Sequence, residues 1–420
     1  MFLFTFDADY GKIYSDIQNG RKGSQIDING PQGYSAEYAA LNHEIYDLTR
    51  QLEERDREYR NATKIDLHDP FRNPTEFRWY RDDYSEILPW ATMPEFSVPF
   101  EPANVEKSAI RRFYNIGGFT VLLQFFASSF LALALMIGVK WLLMKLNPGA
   151  SSGAISHYMR KSSIIAAINL FTYMSANIGF ALIGLKWAKI KPSSMIKTRD
   201  YHLADAVQYC FAGIFIWFSA LLIADGIENI FSKYGFTTDV IDMDYGETGI
   251  GFAVMLLYTC IIAPVTEEIF FRGALMKIFS KSNQRFGIFM SAMFFGLAHG
   301  NLPQFMLAFL IGIFFGHIDM KHNSIIPSIV VHILINSLAS VTSELKGHTI
   351  AMGLFELAIY ICCIIGIIML VIFRSECKLP VSTPEQSRRG IAVAKTSVGI
   401  ILAILVEAAY TLLIIYQTKT

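Results

Sequence analysis

Residues 119–143 have the sequence FTVLLQFFASSFLALALMIGVKWLL, and this stretch decides the class of the protein. It carries one charged side chain, Lys140, near its C-terminal end. A transmembrane helix needs roughly 20 consecutive, mostly apolar residues. The stretch therefore predicts a helix that crosses a membrane, and it is too long and too apolar for an ordinary element of a soluble core.

The same pattern recurs along the chain, which has 420 residues, 53% of them hydrophobic and 17% charged. A soluble protein has about 45–50% apolar and about 25% charged residues. The fold class predicted is all-α, a polytopic membrane helix bundle with about nine transmembrane helices and a soluble N-terminal tail. The predicted spans are 119–143, 163–185, 206–224, 250–278, 286–300, 302–318, 325–342, 351–373 and 397–416.

Charge and cysteine content exclude several other classes of protein. The formal net charge is zero, so no overall bias toward nucleic acid exists, and we expect no nucleic-acid partner. Of the five cysteines, four lie inside apolar runs, and no spacing suggests a disulfide framework or a zinc site. The expected surroundings are membrane lipid.

The apolar runs divide the chain into four parts. Residues 1–115 are expected to form a soluble tail, 116–249 three transmembrane helices, 250–342 a core that carries the chemistry, and 343–420 two further transmembrane helices. Lys and Arg concentrate in connections that lie on one side when the tail is cytoplasmic. We therefore expect a cytoplasmic N-terminus and an external C-terminus, in the plasma membrane if the source is bacterial.

The run 250–278 contains charged residues that are costly in a membrane and by default mark function. They are Glu267, Glu268 and Arg272, in the sequence EEIFFR. On a helix, Glu268 and Arg272 are four residues apart and are expected to form a pair, which leaves Glu267 free to act as a general base. Pro264 is expected to disturb the helix just before them.

Two further polar patterns follow in later apolar runs. Phe295 and His299 are four residues apart at the end of one run, and His332 and Asn336 have the same spacing in another. His332 and Asn336 could donate hydrogen bonds to an oxyanion, or they could join helices. A rise of 1.5 Å per residue predicts similar depths for the three patterns, and hence one site.

These three patterns, EExxxR, FxxxH and HxxxN in this order, resemble the CPBP family, the CAAX proteases and bacteriocin-processing proteins. The residues that match are Glu267, Glu268, Arg272, Phe295, His299, His332 and Asn336. The resemblance covers roughly residues 250–342. It implies an intramembrane endopeptidase that acts on a membrane-anchored, prenylated or leader-type peptide.

The resemblance also implies roles for individual residues. Glu267 and His299 would activate a water molecule that attacks a peptide carbonyl. His332 and Asn336 would stabilise the oxyanion, so these four residues are the expected catalytic set. Glu268, Arg272 and Phe295 would support them or position the substrate.

A metal ion is a separate expectation. Glu267, His299 and His332 could bind a divalent metal such as zinc. The sequence has no HExxH motif, and water activation by glutamate and histidine works without a metal. We therefore expect no required metal.

Two other functions compete with the peptidase. The first is a non-proteolytic scaffold or bacteriocin self-immunity protein of the same family type. The second is a proton-coupled transporter, which Glu356, Glu407 and His317 would suit as ionisable residues within apolar runs. The identity of the substrate and the oligomeric state have no signal in the sequence.

Overall fold

A computed structural model describes the fold over residues 102–196, 201–235, 249–281, 283–345, 347–376 and 384–417. Within residues 1–101 it describes only His43, Asp47 and Arg50. The predicted soluble tail therefore lies almost entirely outside the described residues.

Helices account for the regular structure of the described residues, apart from one isolated bridge between Ile196 and Ser324. We number eleven helical elements in chain order: α1 Pro102–Leu146, α2 Ser152–Met159, α3 Ser162–Trp187, α4 Leu203–Lys233, α5 Ile250–Phe279, α6 Gln284–Leu297, α7 Leu302–His322, α8 Ile326–Glu344, α9 Thr349–Glu376, α10 Pro384–Ala394 and α11 Val398–Gln417.

Eight helices in the described part of the chain are long and apolar enough to cross a membrane: α1, α3, α4, α5, α7, α8, α9 and α11. The fifth predicted span, 286–300, is not among these eight and forms the helix α6, which has 14 residues. At 1.5 Å per residue α6 is about 21 Å long, shorter than a hydrocarbon core of about 30 Å. The chain turns back at Gly300, which has a φ of +70°.

The first helix is longer than the sequence predicted. α1 has 45 residues and begins at Pro102, inside the segment predicted as tail. Its length of about 68 Å is more than twice the thickness of a hydrocarbon core. The apolar run at 119–143 is therefore the part of α1 that can cross, and residues 102–115 extend the same helix.

Large apolar side chains point outward on these helices. Phe130 and Leu133 on α1 and Ile364 and Val371 on α9 are all more than half exposed. A soluble protein rarely exposes a contiguous apolar surface of this size, whereas a lipid-facing surface needs one. The protein is an integral, multi-pass membrane protein.

Packing brings the middle helices together. α4 lies against α7 and α9, α6 and α7 form an antiparallel hairpin, and α3 packs along α5. The α6–α7 turn is fixed by Asn301, whose side-chain oxygen accepts a hydrogen bond from the backbone N–H of Gln304 at 2.9 Å. Pro303 occupies the first turn of α7, as its position in the sequence predicts.

Candidate active site

The helix α5 departs from α-helical geometry on both sides of the paired glutamates. Its segments Leu257–Ile262 and Ile269–Met276 are π-helical, and Ala263–Glu268 between them is α-helical. Pro264 has no N–H to donate, and the N–H of Ala263 bonds to the carbonyl of Tyr258, five residues back. Single π turns inside α-helices are frequent at functional sites.

The predicted pair of Glu268 and Arg272 is present. Arg272 Nη1 donates to Glu268 Oε1 at 3.1 Å, and both side chains have no exposed surface. The guanidinium lies over the rings of Phe295, 4.3 Å from the centroid, and Phe315, 5.3 Å from the centroid. A buried charge is tolerated only when it is paired, and here a carboxylate and two aromatic faces compensate the arginine.

His332 lies between the two glutamates. Its Nδ1 is 2.8 Å from Glu268 Oε1, and its Nε2 is 3.7 Å from Glu267 Oε2. The rings of Phe295 and Phe315 pack against the imidazole, with centroids 5.6 and 5.3 Å away. Glu267 is the more accessible acid, because its side chain is 27% exposed and that of Glu268 is fully buried.

These contacts show which ring nitrogen of His332 carries the hydrogen. Glu268 Oε1 already accepts from Arg272, which holds it as a carboxylate oxygen, so His332 Nδ1 is the donor of the 2.8 Å bond. The Nε2 atom then faces Glu267. Glu268 and Arg272 therefore orient the histidine, and Glu267 is the acid that remains available beside it.

His299 reaches the same aromatic group from the turn that follows α6. Its Nδ1 lies 2.8 Å from the carbonyl oxygen of Phe295, and its ring meets the Phe295 ring edge-on at 5.2 Å. A carbonyl only accepts, so Nδ1 carries the hydrogen of this bond. The neutral imidazole then presents the lone pair of Nε2, as a general base requires.

Asn336 has a different partner. Its Nδ2 donates to the backbone carbonyl of Thr259 in the first π segment of α5, at 2.9 Å. This bond joins α8 to α5, the helix-joining role that such residues commonly have in membranes. Because Nδ2 carries two hydrogens, one of them remains for another acceptor.

A buried polar chain enters from the first helices. Gln124 Nε2 donates to Asn177 Oδ1 at 2.8 Å, and Asn177 Nδ2 donates to Thr266 Oγ1 at 3.4 Å. Thr266 in turn donates to the carbonyl of Ala263 at 3.2 Å. This series of hydrogen bonds connects α1 and α3 to Thr266, the residue that precedes Glu267.

The residues suggested for a metal do not form a ligand set here. Among the described residues, no group of three or more His, Cys, Asp and Glu side chains is placed to hold a metal ion. Glu267 and His332 approach each other, whereas His299 is bound to its own helix.

The structure thus brings Glu267, Glu268, Arg272, Phe295 and His332 into contact and sets His299 beside Phe295. Sequence reasoning missed Phe315, Thr259 and the polar chain to Thr266. Asn177 carried a usable signal, since it is an amide inside an apolar run. Phe315 carried none, because a phenylalanine in such a run is the common case.

Residues 249–338 match the family model described as Type II CAAX prenyl endopeptidase Rce1-like. The match begins at the start of α5 and ends within α8, so it includes all three motifs. Comparison with curated proteins and with solved structures gives no match. The match covers 90 of the 420 residues, and it supports both a peptidase of CAAX type and the assignment of this segment to the CAAX protease (CPBP) family.

Proposed function

We propose that the protein is an intramembrane endopeptidase that hydrolyses a peptide bond of a membrane-anchored substrate. One observation carries the proposal. The accessible Glu267 lies beside His332, which a fully buried Glu268–Arg272 pair holds in place within the matched segment. Such an arrangement leaves one acid and one oriented histidine facing a single position, the requirement for acid–base chemistry.

Glu267 and His299 activate the water in the proposed mechanism. The water oxygen forms a bond to the carbonyl carbon while one of its protons passes to the glutamate or to the free Nε2 of His299. The tetrahedral intermediate then collapses, the C–N bond breaks, and that proton goes to the leaving amine. The products are a carboxylic acid and an amine.

His332 and Asn336 stabilise the oxyanion of the intermediate in this proposal. His332 Nδ1 is already used by Glu268, so the ring can donate to an oxyanion only through a protonated Nε2. Asn336 has one amide hydrogen left after its bond to Thr259. Preorganised donors in a water-poor site are commonly the largest contribution to such catalysis.

We propose that the reaction needs no metal, because each step has a protein residue that can perform it. The substrate class we propose is a prenylated, leader-type or otherwise lipid-proximal peptide. Two of the three motifs lie within the membrane-spanning helices α5 and α8, which supports this choice, since a peptide reaches them most easily from the membrane.

The test is cleavage of a panel of prenylated and unprenylated membrane-proximal peptides by the purified protein in nanodiscs. Glu267→Gln and His299→Ala should each lower cleavage at least about 10²-fold, because these groups transfer protons, and His332→Ala should lower it about 10²–10³-fold, because it removes an oxyanion donor. Glu356→Gln is the matched control, because Glu356 is an exposed glutamate on the membrane-spanning α9.

Cleavage assays with an added chelator test whether the reaction needs a metal ion. Cleavage that survives chelation agrees with the proposal, and cleavage that chelation abolishes and zinc restores contradicts its metal-free part. If the folded wild type cleaves no peptide of either kind, the non-proteolytic scaffold or immunity role becomes the better account of the same residues.

A further inference from the structure

A buried carboxyl group ties the start of α8 to α7. Asp319 lies on α7, within the matched segment but outside its three motifs, and it has no exposed surface. Its Oδ1 accepts the backbone N–H of Ser328 at 3.0 Å, and its Oδ2 accepts the Ser328 hydroxyl at 2.7 Å. An ionisable residue inside a membrane-spanning helix is costly and by default marks function.

The first turn of α8 depends on acceptors from outside the helix, because the first N–H groups of a helix have no partner within it. The N–H of Ile326, the first residue, donates to the hydroxyl of Ser324 at 3.2 Å. Pro327 follows and has no N–H. The third residue is Ser328, and its acceptor is the side chain of Asp319 on the neighbouring helix. This bond fixes α8 against α7.

The contact between Asp319 and Ser328 lies one helical turn from the candidate site. Phe315 precedes Asp319 by four residues on α7, and His332 follows Ser328 by four residues on α8, so the members of each pair share a helix face. The rings of Phe315 and His332 pack together with centroids 5.3 Å apart. The two antiparallel helices therefore meet at two successive levels, and the carboxyl group fixes the level next to the histidine.

Asp319 also closes the helix that carries it. The turn residue Asn323 has a φ of +51°, and its N–H donates to the backbone carbonyl of Asp319. The N–H of Ser324 donates to the same carbonyl at 3.2 Å. The side chain meets α8 at its N-terminus, where the partial positive charge of a helix favours an acid. Asp319 thus fixes both the end of α7 and the start of α8.

The position of His332 tolerates little movement along α8. Its Nδ1 is 2.8 Å from Glu268 Oε1, and its Nε2 is 3.7 Å from Glu267 Oε2. Because N–H···O hydrogen bonds span about 2.7–3.2 Å, a slide of α8 by about 1 Å is enough to break the bond to Glu268. Such a slide is smaller than the rise of about 1.5 Å for one helical residue. The first turn of α8 must therefore be held firmly.

We propose that Asp319 is a positioning residue of the candidate site, which holds α8 at the height where His332 meets the two glutamates. The inference rests on the proposed function and extends it to a residue outside the motifs. In this role Asp319 contacts neither the substrate nor the reacting atoms, and it acts through Ser328 on the same face as the histidine. Without the acceptor the first turn of α8 moves, and the imidazole leaves the oxygen of Glu268.

Nitrogen-15 NMR of the full-length protein in nanodiscs, labelled on histidine, tests the position of His332 without a substrate. The signal absent from His332→Gln identifies the ring N–H that donates to Glu268. We expect Asp319→Ala to shift or broaden this signal, because the bond lengthens. Asp319→Asn should keep the signal near its wild-type position, since the amide oxygen still accepts the N–H of Ser328.

Asn115→Ala is the matched control. The side chain of Asn115 on α1 accepts the backbone N–H of Gly399, in the first turn of α11, at 3.0 Å, so it is the same kind of cap between two helices. Neither α1 nor α11 carries a residue of the proposed chemistry. We expect Asn115→Ala to lower the melting temperature and to leave the His332 signal and kcat unchanged. An equal change of the His332 signal in Asn115→Ala and Asp319→Ala would contradict the proposal.

Kinetics of cleavage provide the second measurement. Asp319→Ala should lower kcat about 10- to 100-fold with KM nearly unchanged, because a small misplacement of a reacting group is costly. Asp319→Asn should stay within about threefold of wild type, since asparagine caps a helix as well as aspartate does. A lower melting temperature with the His332 signal and kcat intact would overturn the proposal, as would equal damage from Asp319→Asn and Asp319→Ala.

Ser328→Ala keeps the test decisive if Asp319→Ala does not fold. This variant loses the hydroxyl bond to Asp319 and keeps the backbone N–H bond, so the His332 signal should still shift, but less than full loss of the cap would cause. An unchanged signal would contradict the proposal. The expected shifts in a protein that cleaves no peptide would support the positioning role and contradict the proposed peptidase instead.

Discussion

The side-chain amide of Asn336 donates to the backbone carbonyl of Thr259 with a separation of 2.9 Å, and Pro264 explains why that carbonyl is free. In an α-helix the carbonyl of Thr259 would accept from Ala263, but the Ala263 N–H bonds to Tyr258. In a π-helix it would accept from residue 264, which is a proline without an N–H. The amide from α8 takes the acceptor that α5 cannot satisfy.

A double-mutant cycle between Asn336 and Pro264 should reveal this dependence. Asn336→Ala should lower the free energy of unfolding by about 1 kcal/mol, as interhelical hydrogen bonds in membranes do. In a Pro264→Ala background the new N–H can reach Thr259, so the loss should shrink. Denaturant unfolding in detergent measures both, and an equal loss in the two backgrounds would contradict the explanation.

The control for this cycle is Ser337→Ala. The hydroxyl of Ser337 bonds to the Ile333 carbonyl of its own helix at 2.7 Å, so its removal should not depend on residue 264.

Gly312 on α7 makes room for the buried arginine. A Cβ at this position would lie 2.9 Å from Arg272 Nη2 and 3.1 Å from the Cα of Ala292. We expect Gly312→Ala to lower the free energy of unfolding by about 1–3 kcal/mol, the usual cost of overpacking. It should also reduce cleavage, since Arg272 orients Glu268 and through it His332.

Gly353→Ala on α9 is the matched control for this change. A Cβ there has open space within 4 Å, so the substitution should leave stability unchanged or raise it, since alanine favours a helix. Equal effects of the two substitutions on melting temperature would show that Gly312 has no role in packing the arginine.

The sequence was sufficient for the fold class because apolar run length is a direct physical requirement of a bilayer. It also predicted the Glu268–Arg272 pair, since an i, i+4 spacing fixes which side chains of one helix meet. The span at 286–300 shows the limit of this reasoning. The run has 15 residues, fewer than a full span needs, and the turn at Gly300 before the α7 cap at Asn301 ends α6 early.

Contacts between helices could not be predicted from the sequence. Placing Phe315 beside Arg272 and His332 requires the relative rotation of α5, α7 and α8, which no periodicity within one helix fixes. The π segments of α5 change that rotation further, since each adds residues to a turn. The partner of Asn336 was hidden for the same reason, although Pro264 marked the place where α5 lacks a donor.

Tyr201 offers a pH-dependent prediction outside the membrane spans. Burial, followed by the effects of Cys210, Asp205 and Asp319, raises the pKa of Tyr201 from 10.0 to about 12. Below pH 10 the phenol is neutral in both the folded and unfolded states, so its contribution to stability is complete. As pH rises toward 12 the unfolded state ionises first, and that contribution is lost.

The measurement is the melting temperature between pH 9 and 12 for wild type and Tyr201→Phe. We expect wild-type stability to fall more steeply than that of the variant, which has no phenol to ionise. Parallel curves would contradict the prediction, because lysines that titrate in the same range are common to both proteins.

Substitutions at the buried pair of Arg272 and Glu268 can separate the contribution of charge to stability from the contribution of side-chain shape. Arg272→Met leaves the buried Glu268 without its guanidinium and with the His332 hydrogen bond alone, and the loss of stability should be about 3–5 kcal/mol. Arg272→Lys keeps the charge but loses the planar group that lies over Phe295 and Phe315, so we expect an intermediate loss. Glu268→Gln in the Arg272→Met protein should recover part of the stability, because no buried charge then remains.

The free energies of unfolding of the wild type and the three variants in detergent test these expectations. Equal stability of Arg272→Lys and wild type would show that the aromatic faces contribute nothing, and no recovery in the double variant would show that the charge was not the source of the loss.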